Sequence, residues 1–274
     1  MKRKKSFFDV LQKWYLLLIV LFVYLPIIYV VVFSFNSSKS TTTFESFSLK
    51  WYKQMFNDKT MLESIYYTVI VAVIATVIST VVGTITAIGL SKSRKLLRNI
   101  VLEINNLPVM NPDIVTAIGL MLLFITANVQ LSLVTLILAH ISFCIPYVIL
   151  TIMPKLRQLD DNVAEAAMDL GATPWQALTK VIIPQITPAI ISAALIAFSM
   201  SFDDFVISFF TAGVGINNIS MYVYSMKRYN PSVNALSTLI VVVITIILIL
   251  VNLIPVLKEK QLRRLKEKEN EEIS

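Results

Sequence analysis

Glycine, histidine and cysteine are scarce in this sequence of 274 residues, and their scarcity excludes several kinds of active site. A phosphate-binding P-loop needs Gly, four residues and then Gly-Lys-Ser or Gly-Lys-Thr, so that backbone amides can surround the phosphates. The chain has six glycines, at positions 83, 89, 119, 171, 213 and 215, and none of them precedes a lysine. We therefore do not expect the chain itself to bind ATP through such a loop.

The one histidine and the one cysteine are four residues apart, at His140 and Cys144. This spacing places both side chains on one face of a helix, but two ligands are too few for a metal site. A lone thiol also excludes an internal disulfide bond. We expect no metal site and no catalytic residue in this chain. His140 should be hydrogen-bonded between helices, and Cys144 should pack as a small apolar residue.

Apolar residues, by contrast, are abundant. They make up 56% of the chain, and its mean hydropathy is +0.74, a composition typical of integral membrane proteins. Six apolar segments are each long enough to cross a hydrocarbon layer of about 30 Å as a helix. They lie at roughly 14–35, 65–90, 100–125, 131–153, 185–210 and 235–257. The sequence thus predicts an all-α integral membrane protein with six transmembrane helices.

These segments are expected to form one membrane domain at 14–257, between an N-terminal segment at 1–13 and a charged tail at 258–274. The first apolar segment is about 22 residues long, which exceeds the apolar core of a signal peptide. No Ala-x-Ala-like cleavage site follows it. We therefore expect this segment to remain in the membrane.

The distribution of lysine and arginine predicts the orientation in the plasma (inner, cytoplasmic) membrane. With the N-terminus inside, 18 of the 24 basic residues lie on the cytoplasmic side and 6 lie in the outer loops. This split places both termini and the loop 154–184 in the cytoplasm. The net charge of +7 mostly reflects this excess of basic residues on the cytoplasmic side. It therefore indicates the lipid bilayer as a partner and not a nucleic acid.

The polar loop at 154–184 has the signals of two short helices joined by a sharp turn. Asn162 is placed to cap the first helix, and Gly171 can supply the left-handed residue that ends it. Thr173 is placed to cap the second helix, with Gln176 three residues later completing a capping box. The pattern favours a folded helix–turn–helix in water, which is either a docking element or a helical hairpin without a partner.

The same loop resembles the EAA loop of ATP-binding-cassette (ABC) importer permeases. The likeness lies in Glu165-Ala166-Ala167, in Gly171 four residues later, and in Pro184 after three aliphatic residues. It departs from the family in having isoleucine before this proline, where leucine is frequent. The resemblance implies a type I ABC importer permease (MetI-like) fold, in which these five residues belong to a coupling helix that sits in a cleft of a cytoplasmic ATPase.

Three carboxylates fall within the apolar segments. Asp113 lies near the middle of the third segment, directly after Pro112, which should break or kink the helix. Asp203 and Asp204 are adjacent in the outer part of the fifth segment. Charge is costly at this depth and usually faces a protein interior or a water-filled cavity. These residues are candidates for the substrate pathway, and helix capping or pairing with a partner subunit is the alternative.

Aromatic residues cluster at the expected membrane boundaries, where an interfacial belt explains most of them. Tyr222, Tyr224 and Tyr229 also allow a second interpretation, because aromatic rings attract ammonium groups. We keep Tyr222 and Tyr224 as candidates for the substrate pathway.

A second resemblance concerns the substrate. Four stretches are similar to permease subunits of spermidine/putrescine importers: 111–115, 201–206, 224–226 and 231–236. The resemblance implies a pore formed with a second, similar permease subunit, two cytoplasmic ABC ATPases and an extracytoplasmic polyamine-binding protein. It also implies that ATP and Mg²⁺ are bound by the ATPases and that this chain needs no cofactor.

Two alternatives remain open at the level of the sequence. The first is a permease of the same kind for a sugar, iron or an anion, although intramembrane Asp in place of Arg or Lys argues against an anion. The second is an ion-driven secondary carrier, which also places charges and broken helices at mid-depth. A lone carrier has no ATPase to dock, so the EAA-type loop argues against it.

Overall fold

The structure is a computed structural model that describes residues 7–160, 162–246 and 249. The described residues form helices joined by turns, with one isolated bridged pair and no strand, so the predicted all-α fold class is confirmed. The helices are α1 (Phe7–Ser34), α2 (Lys50–Asn57), α3 (Lys59–Ser91), α4 (Lys95–Met110), α5 (Asp113–Thr126), α6 (Leu133–Arg157), α7 (Val163–Asp169), α8 (Pro174–Asp203), α9 (Val206–Thr211), α10 (Ile219–Ser225) and α11 (Ser232–Ile246).

Four of the described helices are long and apolar enough to cross a membrane: α1 from Gln12 onward, α3, α6 and α8. The bent pair of α4 and α5 makes a fifth span if it counts as one. The shorter apolar helix α11 covers the first part of the sixth segment. Apart from residue 249, the rest of that segment lies outside the described residues, as do the tail 258–274 and residues 1–6. The chain is a multi-pass membrane protein.

The third predicted segment is broken at its proline, as the sequence indicates. Helix α4 ends at Met110, Asn111 and Pro112 are extended, and α5 starts at Asp113 with its axis turned by 105°. A residue before proline is pushed out of the helical conformation, and proline has no amide hydrogen with which to continue the ladder. Pro108 remains inside α4, so the Asn-Pro step sets the break.

The chain divides into two compact units. Among the described residues, the first contains those up to 59 and those from 227 onward. In it, the loop after α1 is organised by Asn36, whose side chain donates to the carbonyl oxygen of Thr43 at 2.9 Å. The carbonyl oxygen of Asn36 accepts the indole N–H of Trp51 at 2.6 Å, and both residues are buried. These bonds hold α2 against the end of α1.

The second unit, residues 60–226, contains every residue that the sequence singles out as a candidate site except Tyr229. Its core lies among α3, α5, α6, α8 and α9, where small residues let the helices approach closely. Ala139, Ala193 and Ala197 are fully buried there. Cys144 is also fully buried, with its sulfur 3.6 Å from the carbonyl oxygen of Ala197. The expectation that Cys144 packs as a small apolar residue is confirmed.

Helix α3 meets α6 at Gly83. A Cβ atom added there would lie 2.5 Å from Cγ1 of Val148, whereas one added to Gly89, six residues later, would meet nothing within 4 Å. The missing side chain at Gly83 therefore allows two membrane spans to pack at close range.

Candidate functional site

The loop 154–184 contains a helix that ends at a left-handed glycine. Gly171 has a φ of +90°. Its amide donates to the carbonyl oxygen of Met168 at 2.9 Å, and the amide of Ala172 donates to that of Ala167 at 3.1 Å. These two bonds form a Schellman motif. A Cβ on Gly171 would have open space, so the backbone conformation, and not crowding, favours glycine here. The predicted end of α7 is confirmed.

The start of α8 is held by the predicted capping box. The amide of Gln176 donates to Oγ1 of Thr173 at 3.2 Å, and the amide of Thr173 donates to Oε1 of Gln176 at 2.9 Å. Pro174 occupies the first helical position, where its missing amide hydrogen costs nothing. The turn between α7 and α8 is thus fixed on both sides by local hydrogen bonds.

The expected cap at Asn162 is wrong. Asn162 precedes α7, but its side chain makes no capping bond. A capping residue normally has an extended backbone that directs its side chain to the helix end, whereas Asn162 is already helical, with φ −80° and ψ −13°. Its amide donates to Oδ1 of Asp160 at 3.0 Å. The first turn of α7 therefore lacks a side-chain cap from this residue.

The prediction of a short, separate second helix is also wrong, because α8 continues without interruption to Asp203. The segment Leu178–Ile182 winds as a π-helix, and the amide of Ile183 bonds to the carbonyl oxygen of Leu178. The proline at 184 has no amide hydrogen and would crowd the preceding turn of an α-helix. The wider turn just before it accommodates the ring. The start of α8 is therefore continuous with a membrane span.

The candidate coupling residues lie on an accessible surface. Glu165, Ala166, Gly171 and Pro184 are exposed, and Ala167 is half-buried.

Two large apolar residues, which our reading of the sequence missed, flank the turn of the same loop. Leu170 is 90% exposed and Trp175 is 69% exposed. The sequence contains a signal for them, since both lie beside the turn from Gly171 to Thr173, in a loop that is expected to face water. They add an apolar patch to the exposed EAA-type segment.

A second group of candidates lies where the fifth predicted segment breaks. Helix α8 ends at Asp203, and Asp204 has an extended backbone. The carboxylate of Asp204 turns back to accept the amide of Ile207 at 3.2 Å on Oδ1 and the amide of Ser208 at 2.7 Å on Oδ2. It therefore caps α9, which is one of the three roles that the sequence left open for it.

His140 connects this break to α6. Its Nδ1 lies 2.7 Å from Oγ of Ser201, and its Nε2 lies 2.9 Å from Oγ of Ser208 and 3.5 Å from Oδ2 of Asp204. The side-chain amide of Asn218 donates to the backbone carbonyl of Asp204 at 2.7 Å and to Oγ of Ser208 at 2.8 Å. The expectation that His140 is hydrogen-bonded between helices is confirmed. The serines and the asparagine were missed, since single residues of these types carry no signal.

The other two carboxylates stand at helix ends with open surroundings. Asp203 is the last residue of α8 and Asp113 the first of α5, and both are exposed. Neither makes an ion pair among the described residues. Helix α5, which begins at Asp113, packs against α9, which Asp204 caps. The structure thus brings two broken spans and their carboxylates together.

Helix α10 lies beside the same break. The hydroxyl of Ser220 donates to the carbonyl oxygen of Asp203 at 3.2 Å. The ring of Tyr224, which is 71% exposed, lies 4.7 Å from that of Phe205 and 6.2 Å from that of Phe209. Tyr222 is half-buried on the same helix. Helix α10 therefore contacts this break through Ser220 and Tyr224.

Several permeases resemble this chain over most of its length. It is 35% identical over 235 residues to the spermidine/putrescine transport system permease protein PotC of Haemophilus influenzae, covering 85% of this chain and 91% of that protein. It is 36% identical over 229 residues to the putrescine transport system permease protein PotI of Escherichia coli, covering 80% and 82%. A PotC homolog of Mycoplasma genitalium is 29% identical over 276 residues, covering 94% and 95%.

The fold is also found in a solved structure. A chain of a bacterial ABC transporter involved in the import of the acidic polysaccharide alginate superposes with a TM-score of 0.73, covering 93% of this chain and 98% of that one. The sequence identity is 19%, so this likeness establishes the fold alone. The fold is that of an ABC importer permease.

The family model for the inner membrane component of binding-protein-dependent transport systems matches residues 79–263. This range contains the EAA-type loop, both broken spans and α10. Such a component works with other subunits, which argues against the ion-driven secondary carrier. The chain belongs to the binding-protein-dependent transport system inner membrane component family.

Proposed function

We propose that this chain is a transmembrane permease subunit of an ATP-driven importer of polyamines such as spermidine and putrescine. The observation that carries the proposal is the pair of broken spans, where the exposed Asp113 and Asp203 have no cationic partner among the described residues. A polyamine supplies the positive charges that such carboxylates lack. The names of relatives that cover most of the chain support the same substrate class.

The electrostatics favour this assignment over a neutral or anionic substrate. A carboxylate at the centre of a membrane helix costs about 2.5–3.5 kcal/mol on insertion scales. A polycation in the pore meets a similar barrier, and fixed carboxylates reduce this barrier. Exposed tyrosine rings on α10 add a surface that attracts ammonium groups. Binding at this site should be modest, because tight binding would block release.

The partners in this proposal are a second homologous permease subunit, two cytoplasmic ABC ATPases and an extracytoplasmic polyamine-binding protein. The exposed EAA-type segment, with Leu170 and Trp175 beside it, is the surface that docks into an ATPase. Because α8 runs unbroken from the docking turn to Asp203, movement of the ATPases reaches the break at Asp203 through one continuous helix. ATP and Mg²⁺ bind to the ATPases, and this chain supplies no catalytic residue.

Uptake of radiolabelled putrescine and spermidine tests the proposal. The chain is expressed with its partner subunits in a strain that lacks its own polyamine importers. We expect energy-dependent, saturable uptake of both polyamines, with competition by unlabelled polyamine and none by amino acids or sugars. Omission of this chain is the control and should abolish uptake. Transport of a sugar or an amino acid without polyamine uptake would reassign the substrate within the same family.

The proposed orientation, with both termini and the docking loop in the cytoplasm, has a direct test in intact cells. Cysteine substituted for Ser40 should react with a membrane-impermeant thiol reagent, whereas cysteine substituted for Asn270 should react only after lysis. Cys144 is fully buried, so the native thiol adds little background. The opposite labelling pattern would invert the topology and remove the docking loop from the ATPase side.

A further inference from the structure

A cavity of about 420 Å³ lies behind the docking loop, outside the proposed substrate pathway. It is bounded by the end of α3, the start of α4, the end of α6 and the turn between α7 and α8. Its charged lining residues are Lys92, Arg98, Arg157 and Asp160. The two arginines against one carboxylate leave an excess of positive charge, which indicates an anionic occupant.

Arg98 has a buried hydrogen-bond donor that is left without an acceptor in the described part of the chain. Its side chain is half-buried, and its Nε has no contact with solvent and no hydrogen-bond partner among the described residues. Its Nη1 reaches the carbonyl oxygen of Ser91 only at 3.5 Å. A buried donor without a partner is costly, and guanidinium groups bind phosphate through paired N–H donors. An oxyanion in the cavity would complete this hydrogen bonding.

The carboxylate in the lining does not neutralise the arginines. Oδ1 of Asp160 accepts the amide of Asn162 at 3.0 Å, which ties it to the start of the docking loop. No ion pair joins Asp160 to Arg98 or Arg157 among the described residues. The positive charge of both arginines is therefore available to a ligand.

The remaining walls are apolar, and they determine the kind of anion. Ile88, Leu156, Leu178 and Ile182 face the cavity. The basic residues stand at the ends of apolar helices, which is the depth of lipid headgroups. Basic pockets between membrane helices on the cytoplasmic side are suited to anionic headgroups.

We propose that this cavity binds a phosphate group, supplied by an anionic phospholipid of the surrounding leaflet, between Arg98 and Arg157. The same cavity is lined by Met168 of α7 and Ala177 of α8. A bound headgroup therefore bridges the membrane spans and both helices of the docking turn. Occupancy stiffens the element that faces the ATPase.

Native mass spectrometry of the purified permease–ATPase complex tests the site with phosphatidylglycerol as the probe. The variant is Arg98→Gln with Arg157→Gln. The matched control is Arg94→Gln with Lys95→Gln, which removes two exposed charges from the same region, and neither residue lines the cavity. We expect the variant to retain phosphatidylglycerol at least about tenfold more weakly than the wild type, since charge-assisted bonds are lost. The control should retain it normally.

The source of the phosphate is decided by competition with inorganic phosphate and with glycerol 3-phosphate. Displacement of the lipid by neither compound assigns the site to a lipid headgroup. Arginine-dependent binding of inorganic phosphate assigns it to a soluble anion of the same chemistry. Should the double variant fail to assemble, Arg157→Gln alone is measured, because this exposed side chain is not needed for the core. Equal retention by the wild type and the arginine variant, or an equal loss in the control, would overturn the proposal.

Discussion

Replacing Gly171 by valine is expected to abolish uptake while the membrane spans remain folded. Gly171 has a φ of +90°, a conformation that costs an ordinary L-residue roughly 1–2 kcal/mol and a β-branched residue more. Because the Cβ would have open space, the whole effect comes from the backbone. Helix α7 has seven residues and no fully buried side chain, so little else holds it in place. A helix this short depends on its ends and its packing.

The comparison of three substitutions at Gly171 separates backbone strain from side-chain volume. Asparagine tolerates the left-handed region and is common at this position of a helix end, so Gly171→Asn should retain most uptake. Gly171→Ala should fall between asparagine and valine. Uptake is measured together with recovery of the ATPase by affinity purification of the permease. Normal uptake and normal ATPase recovery in Gly171→Val would contradict the coupling role of this turn.

A surface change in the same loop provides an independent check on docking. Glu165 is exposed and follows the start of α7, so Glu165→Lys should leave the turn intact. It reverses the charge of the docking surface. If this surface meets the ATPase, ATPase recovery should fall as it does for Gly171→Val. Unchanged recovery would limit the coupling role to the shape of the turn.

The parts of this structure that the sequence predicted correctly are set by residues close together in the chain. The left-handed end at Gly171, the capping box from Thr173 to Gln176 and the break at Pro112 each depend on backbone rules that act over a few residues. The four apolar spans, or five with the bent pair of α4 and α5, follow from segment length and apolarity. These features require no knowledge of what packs against them.

The features that the sequence did not predict depend on contacts between distant residues. His140 meets Ser201 and Ser208, which are 61 and 68 residues away. Nothing in the sequence distinguishes these two serines from the other serines of the chain. The failed cap at Asn162 shows a related limit. Its side chain has the right chemistry, but the backbone conformation of Asn162 itself determines whether that side chain points at the helix end.

The three intramembrane carboxylates should respond differently to replacement by asparagine. Asp203→Asn and Asp113→Asn remove a charge from exposed helix ends that make no ion pair among the described residues. Asp204→Asn also removes an acceptor. The carboxylate of Asp204 uses one oxygen for Ile207 and the other for Ser208, whereas an amide has a single oxygen. The loss of one capping bond to a charged acceptor costs about 1.5–3 kcal/mol.

Spermidine carries one more positive charge than putrescine, and that difference provides the readout. At an effective dielectric constant of about 20, a unit charge about 8 Å from a carboxylate gains roughly 2 kcal/mol. Spermidine uptake by Asp203→Asn and Asp113→Asn should therefore fall on the order of tenfold further than putrescine uptake. Asp204→Asn should reduce uptake of both polyamines equally and lower the amount of folded complex. Asp203→Glu retains the charge and is the matched control.

Uptake of each polyamine, normalised to the amount of complex in the membrane, separates an electrostatic role from a structural one. An electrostatic role requires the ratio of spermidine to putrescine uptake to change in the asparagine variants and to stay near the wild-type value in Asp203→Glu. A structural role changes both uptakes together, because a misfolded break affects every substrate. If Asp113 and Asp203 both gave unchanged ratios, their charge would not act on the substrate. The polyamine assignment would then depend on the resemblance to permeases of known substrate, while the family membership and the coupling role of Gly171 would stand unaffected.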